Sequence, residues 1–302
     1  MNFFDLHADT LFELDKQGLI LDNKTLAVNL KNMRSFEKII RCYAVFTPDE
    51  IKGENAERHY DRLLNVFNNQ INKYREVTKI ENKDDLENIG IGAILTVENL
   101  SILNGKLENI EKLKENGVKL CSLTWNGENE LGFGSAQNKK LKPFGKQAVA
   151  ELEKNNIIID VSHLSDKGFE DVLKLSKRPF IASHSNSRKI CNNARNLKDE
   201  YIKEIIKRNG LIGINFYKFF LNKKGNAELY DVLKHIEHIL SLGGENILSI
   251  GTDFDGADVI RELSDDGKVK NLYTFLIENG YNKQMADKIF YKNAYNFFSN
   301  NI

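Results

Sequence analysis

Eight short apolar runs, separated by longer segments with helical spacing, constrain the fold of this 302-residue chain more than any other feature. The runs are Phe3–Leu6, Ile39–Phe46, Gly92–Val97, Lys119–Leu123, Ile157–Val161, Phe180–Ser183, Leu211–Phe216 and Ile247–Gly251. Between them the spacing predicts helices over Ala56–Tyr74, Leu107–Asn116, Gly145–Asn155, Ser165–Ser176, Lys198–Asn209 and Ala227–Leu242, with two more, Lys268–Asn279 and Lys283–Phe298, after the last run. In the first of these, Leu63, Leu64, Phe67 and Ile71 share one face. Strands that alternate with helices pair in parallel through right-handed crossovers. Eight such units predict closure into a (β/α)8 TIM barrel, with a doubly wound open sheet as the alternative. No repeat, linker or low-complexity tract divides the chain, so residues 1–302 are expected to form a single barrel domain. Two stretches are less regular: residues 16–38 and residues 124–144, the latter polar and glycine-rich. A long loop after a strand is usually functional or disordered.

In such a barrel the chemistry sits at the C-terminal ends of the strands. Those ends are polar here. The first strand leads into DLHADT, which places His7 and Asp9 two residues apart and on one side of an extended backbone. The third ends in Glu98, the fifth in His163, the sixth in His184 and the eighth in Asp253 and Asp255. The chain has only six histidines, and half of them fall at strand ends. Three imidazoles and two carboxylates exceed what one cation with an open position needs. His7, Asp9, Glu98, His163 and His184 therefore predict two metal ions sharing a carboxylate, an arrangement that holds a bridging hydroxide and polarises a carbonyl. Asp253 would stand beside them as a proton-transfer group. The remaining histidines read as structural: His235 and His238 as packing or helix-stabilising residues on the outer ring, and His59 as a solvated residue of the long helix.

Composition removes several function classes. Basic and acidic residues balance at 43 each, which offers no stripe for nucleic acid. No apolar run approaches the ~18 residues of a membrane helix. No basic-then-apolar leader opens the chain, so a cytoplasmic location is expected. Cys42, Cys121 and Cys191 lie far apart in apolar surroundings and are expected to be buried free thiols.

The motifs, taken in order, resemble those of the membrane dipeptidase (renal dipeptidase) family of metallopeptidases. The matching stretches are HAD at 7–9, Glu98 in TVEN, LTWN at 123–126, PFG at 143–145, DVSH at 160–163, SHS at 183–185, ARN at 194–196, HIEHI at 235–239 and GTDFDG at 251–256. The resemblance implies a barrel with a binuclear zinc centre, although other divalent metals suit such ligands. It implies His7 and Asp9 on one zinc, His163 and His184 on the other, and Glu98 bridging. It also implies that Arg195 holds the free carboxylate of a dipeptide and that Asp253 is the acid/base group. A guanidinium fork fits a planar carboxylate. A homodimer is the assembly the resemblance allows. The implied function is zinc-dependent hydrolysis of dipeptides. The alternatives are another binuclear-metal amidohydrolase, acting on a cyclic amide, lactone or phosphoester, and a non-catalytic metal-binding barrel. There is one departure of weight. Many members carry a histidine after the LT of the fourth strand, where it contacts substrate and stabilises the tetrahedral oxyanion. This chain has Trp125, its only tryptophan, which donates one hydrogen bond and takes no proton. The first motif is HAD where HND is commoner, and the difference is not at a ligand.

Overall fold

Side-chain alternation along the strands decides what faces the axis. The computed structural model describes residues 1–87 and 89–302. Its strands are β1 (Asn2–Ala8), β2 (Lys38–Phe46), β3 (Val77–Lys79), β4 (Ile91–Glu98), β5 (Leu120–Ser122), β6 (Ile158–Asp160), β7 (Ile181–Ala182), β8 (Leu211–Ile214) and β9 (Leu248–Ile250). All pair in parallel. The order β1-β2-β4-β5-β6-β7-β8-β9 returns to β1 through Asp5 beside Ile250, so the sheet is a closed (β/α)8 barrel and the open-sheet alternative is excluded.

All eight expected strands are present, some shorter than their apolar runs. The ninth, β3, was not apparent in the sequence. It is three residues long, only Val77 is buried, and it exists because the lower edge of β4 is free for it below β5. The expected helices form within one or two residues at most ends. A helix at Thr10–Gln17, which the spacing did not predict, runs into the start of the irregular stretch 16–38, and Gly18 in the left-handed region ends it.

One residue in two faces inward, and the inward set divides into layers. At the floor Phe4, Leu6, Ile40, Cys42, Ile94, Leu120, Ile158, Ile181 and Leu211 form one apolar cluster. Ala294, Phe297 and Phe298 of the last helix join it from below, with the Phe298 ring 5.0 Å from that of Phe4. The barrel is therefore plugged at its lower end. The outward set, including Phe3, Ile39, Tyr43, Ala93 and Leu95, packs under the helices in a second, larger cluster. The three cysteines are buried and unpaired, as expected.

One outward position carries charge. Arg41 of β2 is fully buried between Asp5, at 2.5 Å, and Asp266. Asp5 also accepts from the backbone N–H and hydroxyl of Thr252, at 2.8 and 2.7 Å. This network ties β1 and β2 to the segment after β9. Arg41→Leu would leave two buried carboxylates without their cation, which typically costs about 3–5 kcal/mol. Urea unfolding of the variant is expected to show a loss of that size with an unchanged m-value.

Candidate metal centre

The first site residue is aimed by an irregularity. Asp5 pairs with Arg41, and the next pair is Ala8 with Tyr43, so β1 holds one residue more than β2 over that interval. A bulge of this kind shifts the inward parity by one. Phe4 and Leu6 face the apolar floor, and beyond the extra residue His7 and Asp9 face the same space. Asp9 lies just past the strand, and its carboxylate is 3.4 Å from His7 Nε2. Gly256 packs against it: a Cβ there would stand 1.9 Å from Asp9 Oδ2.

Glu98 needs no irregularity. It shares inward parity with Ile94 on β4, two layers higher. Its Oε2 lies 3.4 Å from His7 Nε2, and its Oε1 lies 2.7 Å from His163 Nε2 and 3.8 Å from His184 Nε2. One carboxylate thus faces two histidine clusters with separate oxygens. His163 and Asp253 reach the centre from backbone in the left-handed region, with φ of 67° and 63°. Non-glycine residues there cost of order 1–3 kcal/mol each, and such strain gathers at functional sites.

Proton counting shows what this arrangement lacks. Ser183 donates its hydroxyl proton to Asp160 Oδ2 at 2.5 Å, so its oxygen accepts from His184 Nδ1–H at 2.7 Å. Asn126 Oδ1 accepts from His163 Nδ1–H at 2.9 Å. Both imidazoles therefore turn bare Nε2 lone pairs inward, 2.9 Å apart, with Glu98 Oε1 beside them. Two bare nitrogens and one carboxylate oxygen converge there, with at most the single proton of Glu98 to share among them. Among the described residues, His7 Nε2 and Asp9 Oδ1 are also buried without a hydrogen-bond partner. A cation would satisfy such a set. The atoms of His7, Glu98 and His184 lie within 4.8 Å of one another, as do those of His7, Asp9 and Asp253.

Burial and the crowding of like charges shift the groups of this pocket strongly. Burial pushes the Glu98 carboxyl up to about 8, with Asp9 adding to the effect. Burial drives His163 and His184 well below the ordinary imidazole range, and the Arg195 charge lowers both further. Burial opposes the protonation of His7 too, but Asp9 and Glu98 together outweigh it and raise that residue. Asp253 is raised by burial and stands 4.0 Å from His7 Nε2, with Asn215 Nδ2 donating to its Oδ2 at 2.8 Å. Asp255, the other acid of that strand end, faces away. It accepts from Thr10 Oγ1 at 2.7 Å and from the backbone of Ala27 at 2.8 Å, pinning the irregular segment after the first helix.

Arg195 is buried beside His184, and burial pulls it down to about 10. Its contacts are long: 3.4 Å to Ser185 Oγ and 3.4 Å to the His184 carbonyl, with Nε unpartnered and the guanidinium over the Phe220 ring. Above the centre opens a cavity of about 560 Å³, lined on one side by Phe12, Phe46, Pro48 and Trp125. Only Trp125 and Asn126 of the 124–144 loop reach it; the rest folds back, with Glu128 bridging to Phe133 and Gly134 to Leu164.

One expectation fails. His59 is buried, not solvated: it turns off the helix to the end of β2, with Nε2 2.8 Å from the Phe46 carbonyl and Nδ1 accepting from Arg62. His235 is a packing residue as expected, bonded to Leu221 O and Ser187 N. Asp160, Ser183 and Asn126 entered the sequence reading only within matching stretches, with no role of their own, and Asn215 did not enter it. For Asp160 and Ser183 the signal lay in polar positions close to the strand-end histidines.

A closed parallel barrel with buried imidazoles and carboxylates converging at its C-terminal rim defines a metal-dependent hydrolase. The model of the membrane dipeptidase family (peptidase family M19) matches residues 1–300, and the chain belongs to that family. It is a metallodipeptidase, an enzyme of metal-dependent dipeptide hydrolysis. A metallopeptidase from Rhodobacter sphaeroides, liganded with a phosphinate mimic of the dipeptide L-Ala-D-Ala, superposes with a TM-score of 0.94 at 21% identity, covering 100% of this chain and 99% of that one. The dipeptidase AC, of the same family, superposes at 0.93 with 23% identity, covering 100% and 98%. An uncharacterized Klebsiella pneumoniae protein from the pqqA 5′ region is 27% identical over 215 residues, which is 67% of this chain and 79% of that one.

The Asp160–Ser183–His184 chain gives a direct test. Ser183→Ala frees the His184 tautomer, and loss of such outer partners typically costs about 10–100-fold in metal affinity. Chelator competition on the variant is expected to show a loss in that range with the fold intact by circular dichroism.

Proposed function

We propose that the chain hydrolyses the peptide bond of dipeptides at a pair of zinc ions, with His7 and Asp9 on one, His163 and His184 on the other, and Glu98 between them. The observation that carries this reading is the convergence of two bare imidazole nitrogens and a carboxylate oxygen within 2.7–3.8 Å. A mixed imidazole and carboxylate set suits zinc, and manganese, cobalt or iron accept the same donors. When bound, such a pair supplies a bridging hydroxide as nucleophile and polarises the scissile carbonyl. The substrate class follows from the family and from the dipeptide mimic on the Rhodobacter sphaeroides neighbour.

The chain's own residues do the rest. Arg195 meets the free carboxylate of the dipeptide: its fork is only loosely held at 3.4 Å, and its Nε is available. Burial of that guanidinium makes an incoming carboxylate a strong partner. Asp253 takes the proton released on attack and delivers it to the leaving amine. Its raised proton affinity, caused by burial, suits a group that must both accept and return a proton. Asn215 holds the carboxylate in place by donating to Oδ2, which leaves Oδ1 toward His7. No helix of the described residues is long and apolar enough to cross a membrane. The three free thiols fit a reducing, cytoplasmic compartment.

Asp253→Asn is expected to lower kcat on dipeptides by about 10²–10⁴-fold, the usual worth of a positioned acid/base group, while metal content by elemental analysis is retained. Arg195→Ala is expected to raise KM for dipeptides with a free C-terminus, with little further loss on their C-terminal amides. Equal losses on both substrates would overturn the role given to Arg195.

A further inference from the structure

The wall formed by Phe12, Phe46 and Trp125 has no task in the reaction as described. Trp125 meets Phe46 edge-on, with ring centroids 5.0 Å apart, and Phe46 meets Phe12 edge-on at 5.4 Å. All three rings are only half-buried and border the cavity above the metal centre. Apolar surface left toward water in a ligand cavity is surface a ligand can cover. The wall is also rigidly held. The Phe46 carbonyl is bonded by His59 at 2.8 Å. Gly134 presses on the backbone at Trp125, where a Cβ would stand 2.1 Å from the Trp125 carbonyl. The next residue, Asn126, is anchored on His163. The indole is thus set in register with the histidine cluster, its ring centroid 6.2 Å from that of His163.

Its place in the barrel gives the wall a direction. Phe12 and Trp125 follow β1 and β5 and Phe46 ends β2, whereas Arg195 and Phe220 follow β7 and β8 on the opposite arc, and Glu98, from β4 between β2 and β5, reaches inward toward the centre. In a dipeptide the free carboxylate and the N-terminal side chain lie on opposite sides of the scissile bond. With the carboxylate on Arg195, the N-terminal side chain faces the aromatic arc. We propose that Trp125, with Phe46 and Phe12, is a specificity subsite for that side chain and selects large apolar or aromatic N-terminal residues over glycine. The proposal rests on the dipeptidase reading given above. Trp125 acts on substrate choice; a role in proton transfer is foreign to an indole.

Two measurements test it. Trp125 is the chain's only tryptophan, so its fluorescence reports occupancy of this wall directly. Titrating the metal-free protein is expected to give half-saturation at about 10–100-fold lower concentration for phenylalanyl-alanine than for glycyl-alanine, the range that apolar pockets achieve. With metal bound, Trp125→Ala is expected to lower kcat/KM for phenylalanyl-alanine at least about tenfold more than for glycyl-alanine, mainly through KM, and Trp125→Phe is expected to restore most of the difference. Equal half-saturation for the two dipeptides, or a kcat/KM ratio that Trp125→Ala leaves the same, overturns the subsite. Discriminating fluorescence without turnover of either dipeptide would instead overturn the dipeptidase reading and leave the subsite standing.

Discussion

One extra residue in β1 sets the active rim. Without it, strict alternation would continue the floor: Phe4, Leu6 and then Ala8 would point to the axis, and His7 and Asp9 would point at the helices. The bulge inverts that choice at the height where the apolar floor ends. Asp5 secures it by accepting from the His7 backbone at 3.3 Å, while its carboxylate also takes Thr252 and Arg41. The same side chain therefore fixes where β1 bends and where the chain leaves β9 for Asp253. Two site residues nearly 250 positions apart share one buried anchor.

Above that anchor the interior changes from apolar to acceptor-rich within one layer. Ser162, Ser183, Asp160 and Asn215 stand between the isoleucine floor and the histidines. Their work is orientation. The ring protons of His163 and His184 are drawn outward, to Asn126 and along Ser183 to Asp160. A low-dielectric surround makes leaving such groups unpaired expensive. The centre is thus built at a cost that a bound cation would offset, and the left-handed backbone at His163 and Asp253 adds to that cost.

Much of this was legible in the residues. Apolar runs at regular intervals carried the barrel, because each strand is buried on both faces and helices must separate parallel neighbours. Strand-end histidines and acids carried the rim, because barrels present those positions to one space. Three things were hidden. β3 depends on a vacant edge, which no local pattern records. His59 sits at a helical position that reads as solvated, yet the end of β2 offers it a carbonyl. The facing of His7 and Asp9 depends on the bulge: the two-residue spacing holds, but Asp9 is past the strand and the inward side is set by pairing with β2. Arg195 is legible only through resemblance, since its sequence surroundings are those of a surface loop and its burial comes from Phe220 and the His184 turn.

The floor has a consequence for biosynthesis. Phe297 and Phe298, which close the barrel from below against Phe4, leave the ribosome after every strand has been made. Until their helix docks, a cylinder made of the strands alone would leave its isoleucine floor open to water. Consolidation of the histidine cage, whose stability rests on the layers under it, therefore waits for that helix and not for the vectorial appearance of its own residues.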